Sequence, residues 1–447
     1  MTATVGLILA LVLISLLILG VPICISIAIS SLAAGAVALD FDMMLTTGAQ
    51  RTFTGISVFT LIAIPFFILA GNIMNQGGIA LRLMNLARLC VGKLPGCYAH
   101  TNAMANMMFG AISGSGVAAA SAMGTIIGPI ATKEGYDRDF MATVNIATAP
   151  TGLLIPPSNV LITYALVSGG TSVAALFLAG YVPGILWGIG CMILAGFIAT
   201  KRGYKPDSQK ITLALASKVL GEAIPSLLLI IIVIGGIVGG IFTATEGAVV
   251  AVVYSLILAF IYRSITIKSL LKIYADSAEM TGIIILLIGI SSIMSWVISF
   301  VQIPTAVGEL LSGVSDNPIV IMLIINLILL FVGTFLDTTP AVLIFTPIFL
   351  PIALQCGLSP VEFGIVITFN LCIGLITPPV GNILFVGVKV GKTTIERVIK
   401  PLLAYYVVIF IILMAITYLP FLSSYIAYLA GYEESLGSLS REILGLL

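Results

Sequence analysis

Charged side chains are scarce in this sequence, which limits the classes of protein that it can encode. Of its 447 residues, 8% are Asp, Glu, Lys or Arg and 60% are hydrophobic, whereas soluble domains carry about 25% charged residues. Most of the chain is therefore predicted to face lipid. The net charge is +1, and no cluster of Lys or Arg interleaved with aromatic residues occurs. We therefore expect no nucleic-acid partner.

Metal-binding and redox patterns are also lacking. The six cysteines are scattered and form no C-x-x-C pair, so we interpret them as packing residues. The single histidine, His100, has no partner at metal-ligand spacing and is predicted to lie on the surface at the membrane interface. The first apolar run has no basic n-region or cleavage site, so it is predicted to be retained as helix. These absences argue against a metalloenzyme and against histidine-based catalysis.

Long apolar runs are the main feature of the sequence, and most are close to the ~20 residues that cross a ~30 Å hydrocarbon core. A polar stretch, KRGYKPDSQK from Lys201, separates two groups of five predicted crossings. The predicted crossings are 4–20, 22–38, 55–75, 140–168 and 173–199, followed by 222–242, 245–263, 279–301, 361–388 and 399–419.

The distribution of basic residues predicts the orientation of these crossings. With the N-terminus outside the cell, all of the 19 Lys and Arg residues except Arg51 and Arg441 fall on the cytoplasmic side. The positive-inside rule favours this arrangement.

The two groups of crossings are predicted to be inverted repeats. A shift of 222 residues aligns the two halves without a gap and pairs Gly152 with Gly374 and both Pro156 and Pro157 with their counterparts. Because five crossings per half is an odd number, the second half enters the membrane from the opposite face. The predicted domains are a first repeat (1–200), a cytoplasmic linker (201–221), a second repeat (222–420) and an amphipathic C-terminal tail (421–447) of open position.

Two apolar segments, 101–133 and 320–356, begin and end on the same side in this topology, so we predict re-entrant helical hairpins. Their tips carry polar or small residues, Ser113 to Gly116 and Asp337 to Pro340. Irregular backbone at membrane depth needs protein or a water-filled cavity around it. An amphipathic interfacial helix, IALRLMNLARLCVGK, is predicted before the first hairpin.

A helix interrupted by two prolines follows each hairpin, at Pro156-Pro157 and Pro378-Pro379. Proline removes a donor and clashes with the preceding turn, so the helix is expected to unwind and release carbonyl oxygens that suit an alkali cation. The half-helix that follows directs its positive end and Asn159 or Asn382 toward an anion. Matched interruptions in inverted halves indicate a transporter binding site, although a proline kink without a ligand is the simpler alternative.

The polar tip residues have structural alternatives as well. Asp337 is predicted either to cap its helix or to contact a cation or substrate, and both roles are compatible. Thr338 and Thr339 can be helix caps, while Ser113 and Ser115 can be small residues that allow close packing.

The segment GVKVGKTT, from Gly387, resembles a phosphate-binding loop. Its first glycine is one residue too close to the second, however, and the segment ends a membrane helix. We therefore predict no nucleotide and an ion gradient as the energy source.

The combined motifs PFFILAGNIMNQGGIA, FGAISGSGVA, TGLLIPPSN, FTATEGA, GTFLDTTPAVLIFTPIFLPI and GLITPPVGN resemble the large membrane (M) subunit of TRAP (tripartite ATP-independent periplasmic) transporters. The resemblance extends from about Gly20 to Pro420. It implies a bacterial inner-membrane protein with a periplasmic N-terminus, a small four-helix (Q) subunit and a periplasmic substrate-binding (P) protein. It further implies elevator-type import of a carboxylate such as a C4-dicarboxylate or sialic acid, with two or more Na⁺ as coupling ions.

The resemblance also implies site residues. The implied sodium ligands are Ser113, Ser115, Gly152, Pro156, Thr338, Thr339, Gly374 and Thr377. The implied substrate contacts are Ser115, Gly116, Ser158, Asn159, Asp337, Thr338 and Asn382.

Three alternative functions are compatible with parts of this pattern. A stand-alone sodium-coupled anion symporter of similar architecture needs no binding protein. An intramembrane enzyme needs a catalytic pair at depth, but Asp337 stands alone there. A passive channel conducts without sodium coupling. The sequence predicts a transporter and no enzyme.

Overall fold

The computed structural model describes residues 2–206 and 212–446, and all regular elements in these ranges are helices. The first half contains α1 (Thr2–Ile18), α2 (Ile23–Ala38), α3 (Phe41–Ile56), α4 (Ala63–Gln76), α5 (Ile79–Val91), α6 (Cys97–Ser113), α7 (Gly116–Lys133), α8 (Arg138–Thr148), α9 (Thr151–Leu154), α10 (Asn159–Val167) and α11 (Val173–Lys201). The second half contains α12 (Leu213–Val238), α13 (Ala244–Ile261), α14 (Ile267–Phe300), α15 (Ile303–Val314), α16 (Pro318–Gly333), α17 (Thr338–Gln355), α18 (Pro360–Gly374), α19 (Asn382–Gly391), α20 (Ile395–Tyr418), α21 (Phe421–Leu429) and α22 (Ser438–Ile443). The predicted all-α membrane fold is confirmed.

Seven helices in the described ranges are long and apolar enough to cross a membrane, or up to nine spans if two bent helix pairs are each counted once. The ten predicted crossings exceed this number because some apolar helices are short. Helices α1, α2, α18 and α19 are apolar but have 10–17 residues.

The repeat predicted from the sequence is present in the helices themselves. Helices α7 and α17 begin and end 222 residues apart, and α13, α15 and α20 lie within two residues of the starts predicted by shifting α2, α5 and α11. The amphipathic helix α5 therefore has a partner, α15, which the sequence analysis missed.

The region before the first hairpin differs between the halves. Helix α14 runs for 34 residues without a break, whereas the matching stretch of the first half is divided into α3, a 3-10 turn at Phe59–Ile62, and α4. The predicted crossing 55–75 thus began in the last turn of α3 and ran across the break, and 279–301 omitted the polar first third of α14. Apolar runs mark only the part of a helix that lies in lipid, so a polar extension is invisible to them.

The linker, His100 and the C-terminal tail can also be compared with their predictions. Helix α12 begins inside the predicted linker 201–221, of which residues 207–211 lie outside the described ranges. His100 is 5% exposed, so its predicted surface position is wrong; its ring approaches Gly196 of α11. The C-terminal tail forms α21, a 3-10 turn at Glu433–Ser435 and α22, and α21 packs against α11 and α18.

Candidate functional site

A serine side chain satisfies backbone groups on both sides of the break in the first proline-interrupted helix. The pair α8–α9 and the following α10 meet at 46°, and Ser158 caps α10 by accepting from the Leu161 amide at 3.4 Å. The Ser158 hydroxyl also donates to the Leu153 carbonyl at 2.5 Å. Between them, the carbonyl oxygens of residues 155–157 accept no hydrogen bond within the described chain. The prolines therefore release buried oxygens, as predicted.

The tip of the first hairpin lies directly against this unwound backbone. Gly114 joins α6 to α7 in a left-handed conformation, φ 60°, and Ser115 caps α7 by accepting from the Ala118 amide at 3.3 Å. A Cβ on Gly114 would lie 2.9 Å from the Pro157 carbonyl oxygen and 3.7 Å from Asn159 Nδ2. Asn159 Oδ1 is buried and has no hydrogen-bond partner in the described residues. Glycine is needed for this approach.

At the break in the second proline-interrupted helix, backbone amides satisfy the free carbonyl. Gly381 precedes α19 at φ 40°, and the Leu375 carbonyl accepts from the amides of Ile383 at 3.1 Å and Leu384 at 3.2 Å. The Thr377 hydroxyl donates to the Ile373 carbonyl at 2.7 Å. The carbonyl oxygens of residues 377–379 accept no hydrogen bond in the described structure. The second half thus repeats the release of oxygens seen in the first.

Asp337 caps its helix at the tip of the second hairpin, which is one of its two predicted roles; its contact with a cation or substrate stays a prediction. One carboxylate oxygen caps α17 by accepting from the Thr338 amide at 2.6 Å and from the Thr338 hydroxyl at 3.3 Å. The other oxygen accepts from Asn382 Nδ2 at 3.1 Å. A carboxylate at a helix N-terminus is favoured by the dipole, and here it also ties the tip to α19. The Asp337 side chain remains exposed.

The halves interlock crosswise around these tips. Helix α7 of the first hairpin packs against α19, and α17 of the second hairpin packs against α10. A Cβ on Gly116 would lie 2.5 Å from Ile383 Cδ1 and 3.2 Å from the Ala149 carbonyl oxygen. The first tip therefore contacts both broken helices.

Two of the predicted sodium ligands have a packing role. A Cβ on Gly152 would lie 2.5 Å from Gly110 Cα, and one on Gly374 would lie 2.2 Å from the Gly333 carbonyl. Each hairpin thus approaches its broken helix backbone to backbone, at places in the two halves that match to within one residue. The ligand roles of Gly152 and Gly374 stay predictions.

The remaining predicted site residues fall into two groups, one per half. The first contains Ser113, Ser115, Gly116, Pro156, Ser158 and Asn159, and the second contains Asp337, Thr338, Thr339, Thr377 and Asn382. Their ligand roles also stay predictions. In the described residues no group of three His, Cys, Asp or Glu side chains is placed to hold a metal. The oxygens present at the tips are backbone carbonyls, Ser and Thr hydroxyls and the Asp337 carboxylate.

Two buried amide networks that were not predicted from the sequence join the first helix of each hairpin to its neighbours. Asn106 Nδ2 donates to the Asn102 side chain at 2.9 Å and to the Thr148 hydroxyl at 2.8 Å. In the second half, Asn370 Nδ2 donates to Asn326 Oδ1 at 2.5 Å, and Asn326 Nδ2 donates to the Thr417 hydroxyl. Amides inside apolar helices were the available signal, since buried polar groups join membrane helices.

Comparisons with known proteins agree with this architecture. The family described as "Tripartite ATP-independent periplasmic transporter, DctM component" matches residues 10–422. An uncharacterized protein, YgiK, of Salmonella typhimurium is 54% identical over 91% of this chain and 94% of its own length. The sialic acid TRAP transporter large permease SiaM of Vibrio cholerae is 38% identical over 83% of this chain and 87% of its own length. The C4-dicarboxylate TRAP transporter large permease DctM of the same organism is 36% identical over 92% and 95%.

A solved structure supports the fold alone. The YdaH transporter of Alcanivorax borkumensis superposes with a TM-score of 0.57 at 15% identity, covering 89% of this chain and 90% of its own. Since the family match spans most of the chain, this protein is no enzyme and belongs to the TRAP transporter family as a large membrane subunit, the DctM component.

Proposed function

We propose that this chain imports an organic acid anion by sodium-coupled, elevator-type alternating access. The observation that carries this proposal is the repeated contact between a hairpin tip and a proline-broken helix whose carbonyl oxygens at 155–157 and 377–379 lack hydrogen-bond partners in the described chain. Interrupted helices at equivalent places of inverted repeats are where transporters bind substrate and coupling ions.

Sodium is proposed to bind at both tips. The carbonyl oxygens of residues 155–157 belong to buried residues and have no partner in the described chain, which is costly. Those of residues 377–379 are more exposed, and a bound cation would satisfy both groups. The proposed ligands are Ser113, Ser115, Gly152 and Pro156 in the first half and Thr338, Thr339, Gly374 and Thr377 in the second. Each entering Na⁺ releases about 2.3 kcal/mol per 100 mV, so two or more can offset the unfavourable entry of an anion.

The substrate is proposed to lie between the tips. Asn159 Oδ1 is buried without a partner, and the positive ends of α10 and α19 favour a carboxylate. The proposed contacts are Ser115, Gly116, Ser158, Asn159, Asp337, Thr338 and Asn382. The names of the two Vibrio cholerae relatives, which specify sialic acid and C4-dicarboxylates, support a carboxylate.

The moving part is proposed to be the two hairpins with the two broken helices, and the remaining helices are proposed to form a scaffold. The crosswise packing of α7 on α19 and of α17 on α10 supports motion of these elements as one body. Family membership supports a small four-helix membrane partner, a periplasmic binding protein that delivers substrate, and an inner-membrane location with the N-terminus in the periplasm.

Uptake into proteoliposomes tests the proposal. Vesicles containing this chain and its small partner would receive radiolabelled carboxylates under an imposed Na⁺ gradient, with and without the binding protein, and under an equal K⁺ gradient as control. Uptake that needs both Na⁺ and the binding protein supports the proposal. Uptake without the binding protein identifies a stand-alone symporter, and equal uptake in K⁺ rejects sodium coupling.

A further inference from the structure

A cavity of about 630 Å³ lies between α3, α14 and the ends of α10 and α17. We call it the outer cavity; Arg51 and Thr54 of α3, Ser291 and Ser295 of α14, and Leu343 of α17 lie in its wall. None of the proposed substrate or sodium ligands lines it. It is therefore separate from the hairpin tips.

The outer cavity lies at the end of the protein away from the basic cytoplasmic cluster. Gly170, in the turn after α10, is part of its wall. Helix α11 then runs for 29 residues to Lys201, a distance of about 43 Å at 1.5 Å per residue. In the predicted orientation the cavity opens toward the periplasm.

The outer cavity contains one positive charge. Arg51 is the only ionisable side chain among the described residues of its wall, and in the described chain it makes no ion pair. Its guanidinium carbon lies 5.6 Å from the centroid of the Trp296 ring, at a distance where a cation is attracted to the ring face. The charge is thus held at the cavity without a carboxylate to neutralise it.

A buried hydroxyl completes the polar wall. Ser291 is 2% exposed, and its Oγ has no hydrogen-bond partner within the described residues. Ser295 and Ser299 follow at spacings of four on the same face of α14 and also line the cavity. Burying a hydroxyl without a partner costs free energy, so a ligand oxygen that reached Ser291 through the cavity wall would stabilise it.

The geometry points to a second binding site on this chain, an anion-receiving site in the outer cavity that accepts the carboxylate of the transported acid before it reaches the hairpin tips. This inference rests on the proposed function. The Arg51 guanidinium offers paired N–H donors that match a carboxylate, and the Ser291 hydroxyl donates from the wall. The phosphate of an anionic lipid presents the same oxygen chemistry, and the experiments distinguish these two ligands.

Substrate-concentration dependence of uptake is the first test. In proteoliposomes with the small partner and binding protein, Arg51→Gln is expected to raise KM about tenfold, the size of a lost charge-assisted hydrogen bond, and to change the maximal rate less. Arg441→Gln is the matched control, because Arg441 is the other basic residue predicted on the periplasmic side. An unchanged KM in Arg51→Gln, or an equal rise in both variants, overturns the inference; absent wild-type uptake contradicts the proposed function instead.

A thiol probe tests the site without transport. Ser295→Cys, in the full chain with Cys24 and Cys90 replaced by serine, would react with an anionic or a cationic methanethiosulfonate. Arg51 is expected to speed the anionic reagent about tenfold relative to Arg51→Gln and to slow the cationic one. Carboxylate substrate should protect the thiol in vesicles with or without anionic lipid. Rates independent of Arg51, or protection abolished by anionic lipid, overturn the inference.

Discussion

The two halves of the chain build the same broken helix but complete it with different chemical groups. In the first half Ser158 caps α10 and satisfies the Leu153 carbonyl. At the position 222 residues later stands Val380, and backbone amides of α19 satisfy the Leu375 carbonyl instead. Residues 151–158 are all buried, whereas Pro379, Val380 and the tip carboxylate of Asp337 are exposed. The break in the first half is therefore buried and satisfied by its own side chain, whereas the break in the second half is exposed to solvent or ligand.

A second contrast lies at the N-termini of α8 and α18, which open the two broken helices. Asp137 caps α8 at an exposed position and pairs with Arg202 at 3.2 Å. Helix α18 is instead covered by the C-terminal tail, which is fastened to the buried Glu362. The Ser424 and Ser440 hydroxyls and the Gly437 amide all donate to this carboxylate. The halves therefore share a backbone plan but differ in what covers its ends.

The glycine contacts are the feature that the halves share most closely, and breaking them should have the largest effect. Gly374→Ala places a Cβ 2.2 Å from the Gly333 carbonyl, and Gly152→Ala places one 2.5 Å from Gly110 Cα. Backbone atoms cannot rotate away, so each change should cost about 3 kcal/mol or more. Thermal unfolding of purified protein in detergent measures the loss.

Gly128→Ala is the matched control, since a Cβ there has no neighbour within 4 Å. Its melting temperature should equal or exceed that of the wild type. If Gly374→Ala melts at the wild-type temperature, or if only one half is sensitive, the shared backbone contact is refuted.

The contrast at the helix N-termini predicts the next largest effect. The Glu362 carboxylate accepts hydrogen bonds from Ser359, Ser424 and Gly437. Glu362→Gln replaces one of its oxygens by an NH₂ group that is itself a donor, which should cost about 2–4 kcal/mol. The tail should become sensitive to protease before the rest of the chain unfolds. Asp137→Asn at the exposed pair should cost about 1 kcal/mol or less.

Glu434→Gln serves as a control within the tail, because Glu434 is exposed. Cleavage of the tail at the same rate in Glu362→Gln and Glu434→Gln would show that the buried carboxylate does not fasten it.

The role of the Ser158 hydroxyl at the break in the first half can be tested by substitution. Ser158→Ala removes the cap of α10 and leaves the buried Leu153 carbonyl without its donor, which should cost about 2 kcal/mol. Val380→Ser, at the matching position of the open half, should change stability by about 0.5 kcal/mol or less. Melting temperatures of both variants measure the difference. Equal losses would mean that the two ends are completed alike.

The paired hairpins and broken helices were predictable because Gly and Pro act through backbone geometry, which does not depend on tertiary neighbours. The amphipathic helix α15 and the polar start of α14 escaped because apolar runs do not mark them. The contact of Asp337 with Asn382 and the fastening of the tail by Glu362 depend on segments distant in sequence. A single sequence shows a residue's type but not the partner that folding brings to it.

A smaller loss of stability is expected at Tyr406 of α20, whose counterpart in α11 is Gly184. Gly184 lets α11 pack directly on Ile155, whereas Tyr406, 222 residues later, donates its hydroxyl to the Ile376 carbonyl at 2.6 Å. Tyr406→Phe should cost about 1 kcal/mol and leave that carbonyl without its donor, one residue before the proposed sodium ligand Thr377. The sodium concentration for half-maximal uptake should then shift, while KM for the carboxylate changes little. A shift in both constants by the same factor would instead indicate general loosening of the second half.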